Sequence, residues 1–198
     1  LREARLSDKR NEKKESKWNE KLRETYEKIL VNKVYDSYAL LGQYLANIHY
    51  IDKNWVIKKI KEIESTDEST IFEAFFEGYL YINNVYNELY KLLRNSYERA
   101  LKINFKKNEL EGRLIDHITT GYLRGFEKLG EGLLKNEFIF DNPKKLENMI
   151  SFLWQQRDFI NEIKADDKDE IKKIKLDFKE RIITFWEYVI KLYKDNKH

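Results

Sequence analysis

The 198-residue chain contains no cysteine, one proline, seven glycines and three histidines, and its 38 basic residues exceed its 35 acidic ones by only three. Those numbers exclude disulfides, thiolate catalysis and sulfur-held zinc, argue against a turn-rich sheet protein, and give too small a charge surplus to imply a nucleic-acid surface by themselves. Aromatic residues are plentiful instead, with four Trp, thirteen Tyr and eleven Phe.

No apolar run approaches the length of a membrane span and no secretion signal is visible, so a cytoplasmic chain with no membrane partner is expected. The start at Leu1 suggests a piece of a longer polypeptide. Residues 1–24 hold 9 basic and 6 acidic residues in interleaved order. They read as a charged N-terminal helix or linker, and residues 25–198 as one helical array.

From Leu22 the apolar residues Tyr26, Ile29, Leu30, Val34, Tyr38, Leu41, Leu45 and Ile48 recur three or four apart. This spacing predicts one long helix, or two with a break near Asn32. Gly42 lies inside the pattern and reads as a close helix contact. Asp52 is placed to cap a short helix carrying Trp55, Val56, Ile60 and Ile63, and Ser65 with Glu68 has capping-box spacing for the next one. That next helix carries Phe72, Phe75, Phe76, Tyr79 and Leu80, a face too wide for a single packing stripe.

After an interruption at residues 82–84, the period resumes from Val85 to Phe105. Asn108 and Glu111 have cap spacing for a helix through Leu129, with close backbone approach expected at Gly121 and Gly125 and termination near Gly130 to Gly132. Asn142-Pro143 is a strong helix start, because Asn can cap and Pro loses no needed hydrogen bond at the first position. This helix reaches to about Phe159. After a charged link whose Asp167 and Glu170 again have capping spacing, a last helix carries Ile171, Ile174, Phe178, Ile182, Phe185, Trp186, Val189, Leu192 and Tyr193. The expected fold is all-α: an irregular array of seven to nine helices arranged as solenoid-like pairs.

Candidate chemistry is sparse. Neither phosphate-loop nor dinucleotide glycine motif is present, and His49, His117 and His198 are far apart and outside any metalloprotease pattern. Asp116 and His117 point about 100° apart on a helix and form no dyad by themselves. No catalytic, cofactor-binding or metal-binding residue is assigned, and no cofactor or enzyme activity is expected. Lysine clusters at Lys58, Lys59 and Lys61, at Lys106 and Lys107, at Lys144 and Lys145, and at Lys172, Lys173 and Lys175 would bind nucleic acid if folding gathered them on one face. That is the alternative to protein recognition.

The order Asn54-Trp55, Glu73 through Leu80, Tyr86 to Leu93 and Tyr97 to Leu101 resembles the C-terminal helical region of large bacterial anti-phage defence proteins. There the region follows a sirtuin-like NAD-hydrolysing domain or a STAND-type NTPase core. A Trp-x-Gly-Phe/Tyr-Leu segment recurs in that family, and Phe76-Glu77-Gly78-Tyr79-Leu80 is similar to it with Phe in place of Trp. Leu153-Trp154 and Phe185-Trp186 match the same layout, and the resemblance covers roughly residues 40–190. It implies a helical module that senses a phage protein or holds neighbouring domains of its parent inactive. The catalytic residues of those effector portions have no counterparts here, so neither activity carries over. The expected function is a non-enzymatic recognition and regulatory module, with Tyr79, Tyr81, Tyr86 and Arg94 as partner-binding candidates.

Overall fold

A computed structural model of the chain describes residues 17–82, 84–105, 107–162 and 168–195. Among them are eleven α-helices and one short 3-10 turn, and no strand. The protein is thus an irregular all-α array. The helices are α1 (Glu20–Val31), α2 (Tyr35–Gln43), α3 (Leu45–Ile51), α4 (Lys53–Glu64), α5 (Ser69–Leu80), α6 (Asn87–Leu92), α7 (Arg94–Leu101), α8 (Asn108–Leu123), α9 (Pro143–Gln155), α10 (Arg157–Asn161) and α11 (Asp169–Asp195). The count exceeds seven to nine because several expected helices are broken at single residues, Tyr44, Leu93 and Gln156. The span 25–198 falls into two compact units that divide between Ala100 and Leu101. Most of the charged segment 1–24, together with Lys106, Asp166, Asp167 and His198, lies outside the described residues.

In the first unit, α2 and α5 form the most extensive helix pair. Two glycines make it possible. A Cβ built on Gly42 would stand 1.9 Å from the Phe75 carbonyl oxygen, and one on Gly78 would stand 1.8 Å from that of Ala39. Each helix therefore presents its glycine to the other's backbone, and no larger side chain fits between them.

The wide aromatic face of α5 is enclosed. Phe72, Phe75, Phe76 and Tyr79 are at most 1% exposed; Phe72 stacks on Phe76, which meets Tyr97 of α7 edge-on with 5.3 Å between centroids. Where the unit begins, Trp18, Tyr26 and Trp55 form a second ring cluster. The Trp55 indole donates to Glu27, whose carboxylate also pairs with Lys59 at 2.6 Å. Partial burial opposes ionisation of Glu27, but the Lys59 and Trp55 donors outweigh it and hold its pKa below the usual range.

Local signals explain the helix ends. Asn19 and Asp52 cap α1 and α4, the latter accepting from the Trp55 amide at 2.9 Å. Ser65 does not open α5 as its spacing suggested; its hydroxyl donates to the Glu62 carbonyl and closes α4. Helix α8 starts at Asn108 with Lys107 in the capping position.

In the second unit, α8 packs on α9, and α11 on α8 and α10. Helix α8 ends earlier than Gly130. The Phe126 amide returns to Gly121 and the Gly125 amide to Tyr122, with Gly125 at φ +78°, a Schellman motif that needs a glycine there. Gly130 and Gly132 have positive φ in the loop beyond it. Asn142 caps α9 by accepting from the Lys145 amide, with Pro143 at the first position. The core gathers Leu114, Ile115, Ile118, Leu134, Ile139, Met149 and Phe185, each at most 1% exposed.

Candidate protein-docking groove

The four residues picked from sequence do not share a surface. Tyr79 is 1% exposed, its hydroxyl 3.3 Å from that of Tyr97, and burial pushes its pKa up to about 12. Its ring belongs to the core and has no face to offer a partner. Arg94 is half-buried and Tyr86 is exposed on the approach to α6. Tyr81 lines a shallow hollow of about 480 Å³ at the α2–α5 crossing, with Asp36, Leu40, Gln43 and Glu77.

The lysine clusters are distributed through both units, and several are already engaged. Lys59 pairs with Glu27 and Glu62, Lys144 with Glu111, and the buried Lys175 ammonium donates to the Glu162 carbonyl at 2.6 Å. His117 is 5% exposed and lines none of the hollows described here. The largest of them, about 550 Å³ between the loop after α8 and one side of α11, mixes Glu127, Glu131, Asp177 and Glu180 with Lys128 and Arg181. Among the described residues no three acidic or histidine side chains are placed to hold a metal ion.

A different place concentrates apolar surface. Between α9, α10 and α11 of the second unit runs a groove of about 220 Å³, lined by Leu153, Trp154, Ile160, Ile182, Ile183 and Trp186, with Arg157 and Lys179 at its rim. Trp154 is 64% exposed and Trp186 41%. Each has a neighbour: the Arg157 guanidinium lies 4.7 Å from the centre of the Trp154 ring, and Trp186 meets the buried Phe185 edge-on at 5.4 Å. Phe159 packs against Phe178, and the Lys175 ammonium ties α11 to the end of α10.

The local sequence places these side chains outward for a simple reason. Leu153 and Trp154 are neighbours on α9, so when Leu153 turns to the core at 3% exposure, Trp154 turns about 100° away. Phe185 and Trp186 do the same on α11, with Phe185 fully buried. The apolar set expected on α11 is thus divided: Phe185 and Val189 are buried, while Ile171, Ile174, Trp186 and Tyr193 face outward. Leu176, Ile183 and Ile190, which the sequence reading did not single out, are also more than half exposed.

Chemically the groove suits apolar side chains. Aromatic walls with a cationic rim suit an apolar anchor from another polypeptide, and each aliphatic or aromatic side chain fully covered there contributes about 1.5–3 kcal/mol. Among the described residues, no helix is long and apolar enough to cross a membrane. The chain matches no family profile, no curated protein and no solved structure.

Proposed function

We propose that the chain is a non-enzymatic helical recognition module that binds protein through the Trp154–Trp186 groove, and that it serves as the regulatory portion of a larger anti-phage defence protein. The exposure of two tryptophans over an apolar floor carries the first part. Exposed large aromatics held in place by packing lose little entropy on binding and are the commonest anchors of protein interfaces. The sequence resemblance over residues 40–190 supports the second part. In this reading a phage protein, or a neighbouring domain of the parent, covers the groove and biases a distant effector by its different affinity for two arrangements.

Recovery of phage-encoded protein on the tagged chain from infected cells tests the proposal. A phage protein retained by the wild type and lost with Trp154→Ser plus Trp186→Ser, at unchanged helix content, is the expected result. Equal retention by both forms, or retention of no phage protein from a panel of phages, contradicts it.

A further inference from the structure

Helix α11 carries two apolar stripes, one covered and one exposed. The first, Phe178, Ile182, Phe185, Val189 and Leu192, is buried or half-buried against its own unit and steps by four and three residues. The second lies outward: Leu176, Ile183 and Ile190 at intervals of seven, with Trp186 and Tyr193 each three residues after an isoleucine. These five are 55%, 51%, 52%, 41% and 53% exposed in that order. An interval of seven with a second apolar position three residues on is the pattern of a two-helix coiled-coil seam. The buried stripe has the same interval and is covered by helices of its own unit, whereas the outward stripe has no such cover among the described residues.

Charge selects the partner. Along the solvent side of this seam, again at intervals of seven, stand Glu180, Glu187 and Lys194, all exposed and without an ion pair among the described residues. When two copies of α11 lie antiparallel, Leu176 comes opposite Tyr193, Ile183 opposite Trp186, and the stem of Lys179 opposite Ile190. The same register sets Glu180 of each copy beside Lys194 of the other, twice, and brings the two Glu187 side chains together near the axis. A parallel pairing gives no such match, since the positions that would face Glu180 and Glu187 are Lys175 and Ile182, both turned into their own unit, with the Lys175 ammonium already on the Glu162 carbonyl.

We propose that α11 docks on α11 of a second copy of this chain in antiparallel order, with Trp154 extending the contact from the far wall of the groove. The proposal rests on the reading of this groove as a docking surface and names its occupant. Self-pairing keeps the groove covered until a competing protein displaces the second copy, so the dimer is the resting form of the module.

Sedimentation of the full chain from about 1 μM to a few hundred μM, the range in which a modest interface forms, tests it. A reversible dimer is expected. Ile183→Glu gives a monomer with unchanged helix content, and Glu180→Lys weakens the dimer about tenfold. Adding Lys194→Glu to Glu180→Lys recovers it, and Glu187→Gln strengthens it. A wild type that stays monomeric throughout, or a charge exchange that fails to recover association, overturns the proposal. A monomeric wild type that still captures a phage protein through Trp154 and Trp186 removes the self-pairing and leaves the docking groove standing. A dimer that obeys the charge exchange beside a failed capture experiment does the reverse.

Discussion

Asp116 lies beside His117 on α8, and burial pushes its carboxyl up to about 6 although the nearby Arg113 pulls the other way. In the unfolded chain the same group ionises near 3.8. The folded state therefore holds its proton over a range in which the unfolded state has lost it, and stability declines as pH rises from about 4 through about 6. Asp116→Asn is expected to remove that decline and to raise the midpoint of thermal unfolding at neutral pH, measured by circular dichroism across pH 3.5 to 7.5. A variant as pH-sensitive as the wild type over this window contradicts the assignment. The pair Asp116-His117 is visible in the sequence, but its setting is not. The two side chains point to different sides of α8, and only the tertiary packing decides that His117 is enclosed and Asp116 half-enclosed. Tyr79 shows the same limit. An aromatic in a run of aromatics reads equally well as core or as anchor, and here the rings of Phe76 and Tyr97 enclose it.

Backbone contact decides most at the level of the helices. Gly42 of α2 and Gly78 of α5 each touch the opposite main chain, so either glycine changed to Ala must push the two helices apart. Neither neighbour is a flexible side chain that can swing away. Gly42→Ala or Gly78→Ala is expected to cost at least the upper end of the roughly 1–3 kcal/mol typical of overpacked cores, read from chemical denaturation. Gly112→Ala is the control: nothing lies near its added methyl, and the gain in helix propensity makes it neutral or stabilising by up to about 1 kcal/mol. If Gly42→Ala and Gly112→Ala behave alike, the close crossing is wrong. The glycine inside a regular apolar pattern, the Asp52 cap and the Asn142-Pro143 start were all legible, because each depends on a few neighbouring residues. The breaks at Tyr44, Leu93 and Gln156 were not, since none has a proline or glycine to mark it and long-range packing sets the turn. Gly125 shows how two local signals compete. It and Gly130 both qualify as helix stops, and the earlier one takes the cap.

For the molecule as a whole, an all-helical architecture follows from composition and apolar period, whereas the division into two units at Ala100 and Leu101 leaves no trace in glycine, proline or charge. The functional surface was half visible. Trp154 and Trp186 stand out as aromatic members of their helices, but period alone does not say whether they face the core or solvent. A helix with apolar residues over more than half its circumference must bury one part and show another, and sequence does not say which. The seven-residue interval of Leu176, Ile183 and Ile190 is the signal that was available and unused. It marks a second apolar stripe, but the core-facing stripe repeats at the same interval, so period alone does not say which of the two meets the core.

Four tryptophans make this account testable at single-residue level, because two are exposed in the groove and two, Trp18 and Trp55, are at most 6% exposed in the other unit. Incorporation of 5-fluorotryptophan gives four fluorine resonances, assigned by single Trp→Phe replacements. As protein concentration is raised through the association range, the account predicts that the resonances of Trp154 and Trp186 shift together while those of Trp18 and Trp55 stay in place. Association that leaves Trp154 and Trp186 unmoved would contradict it.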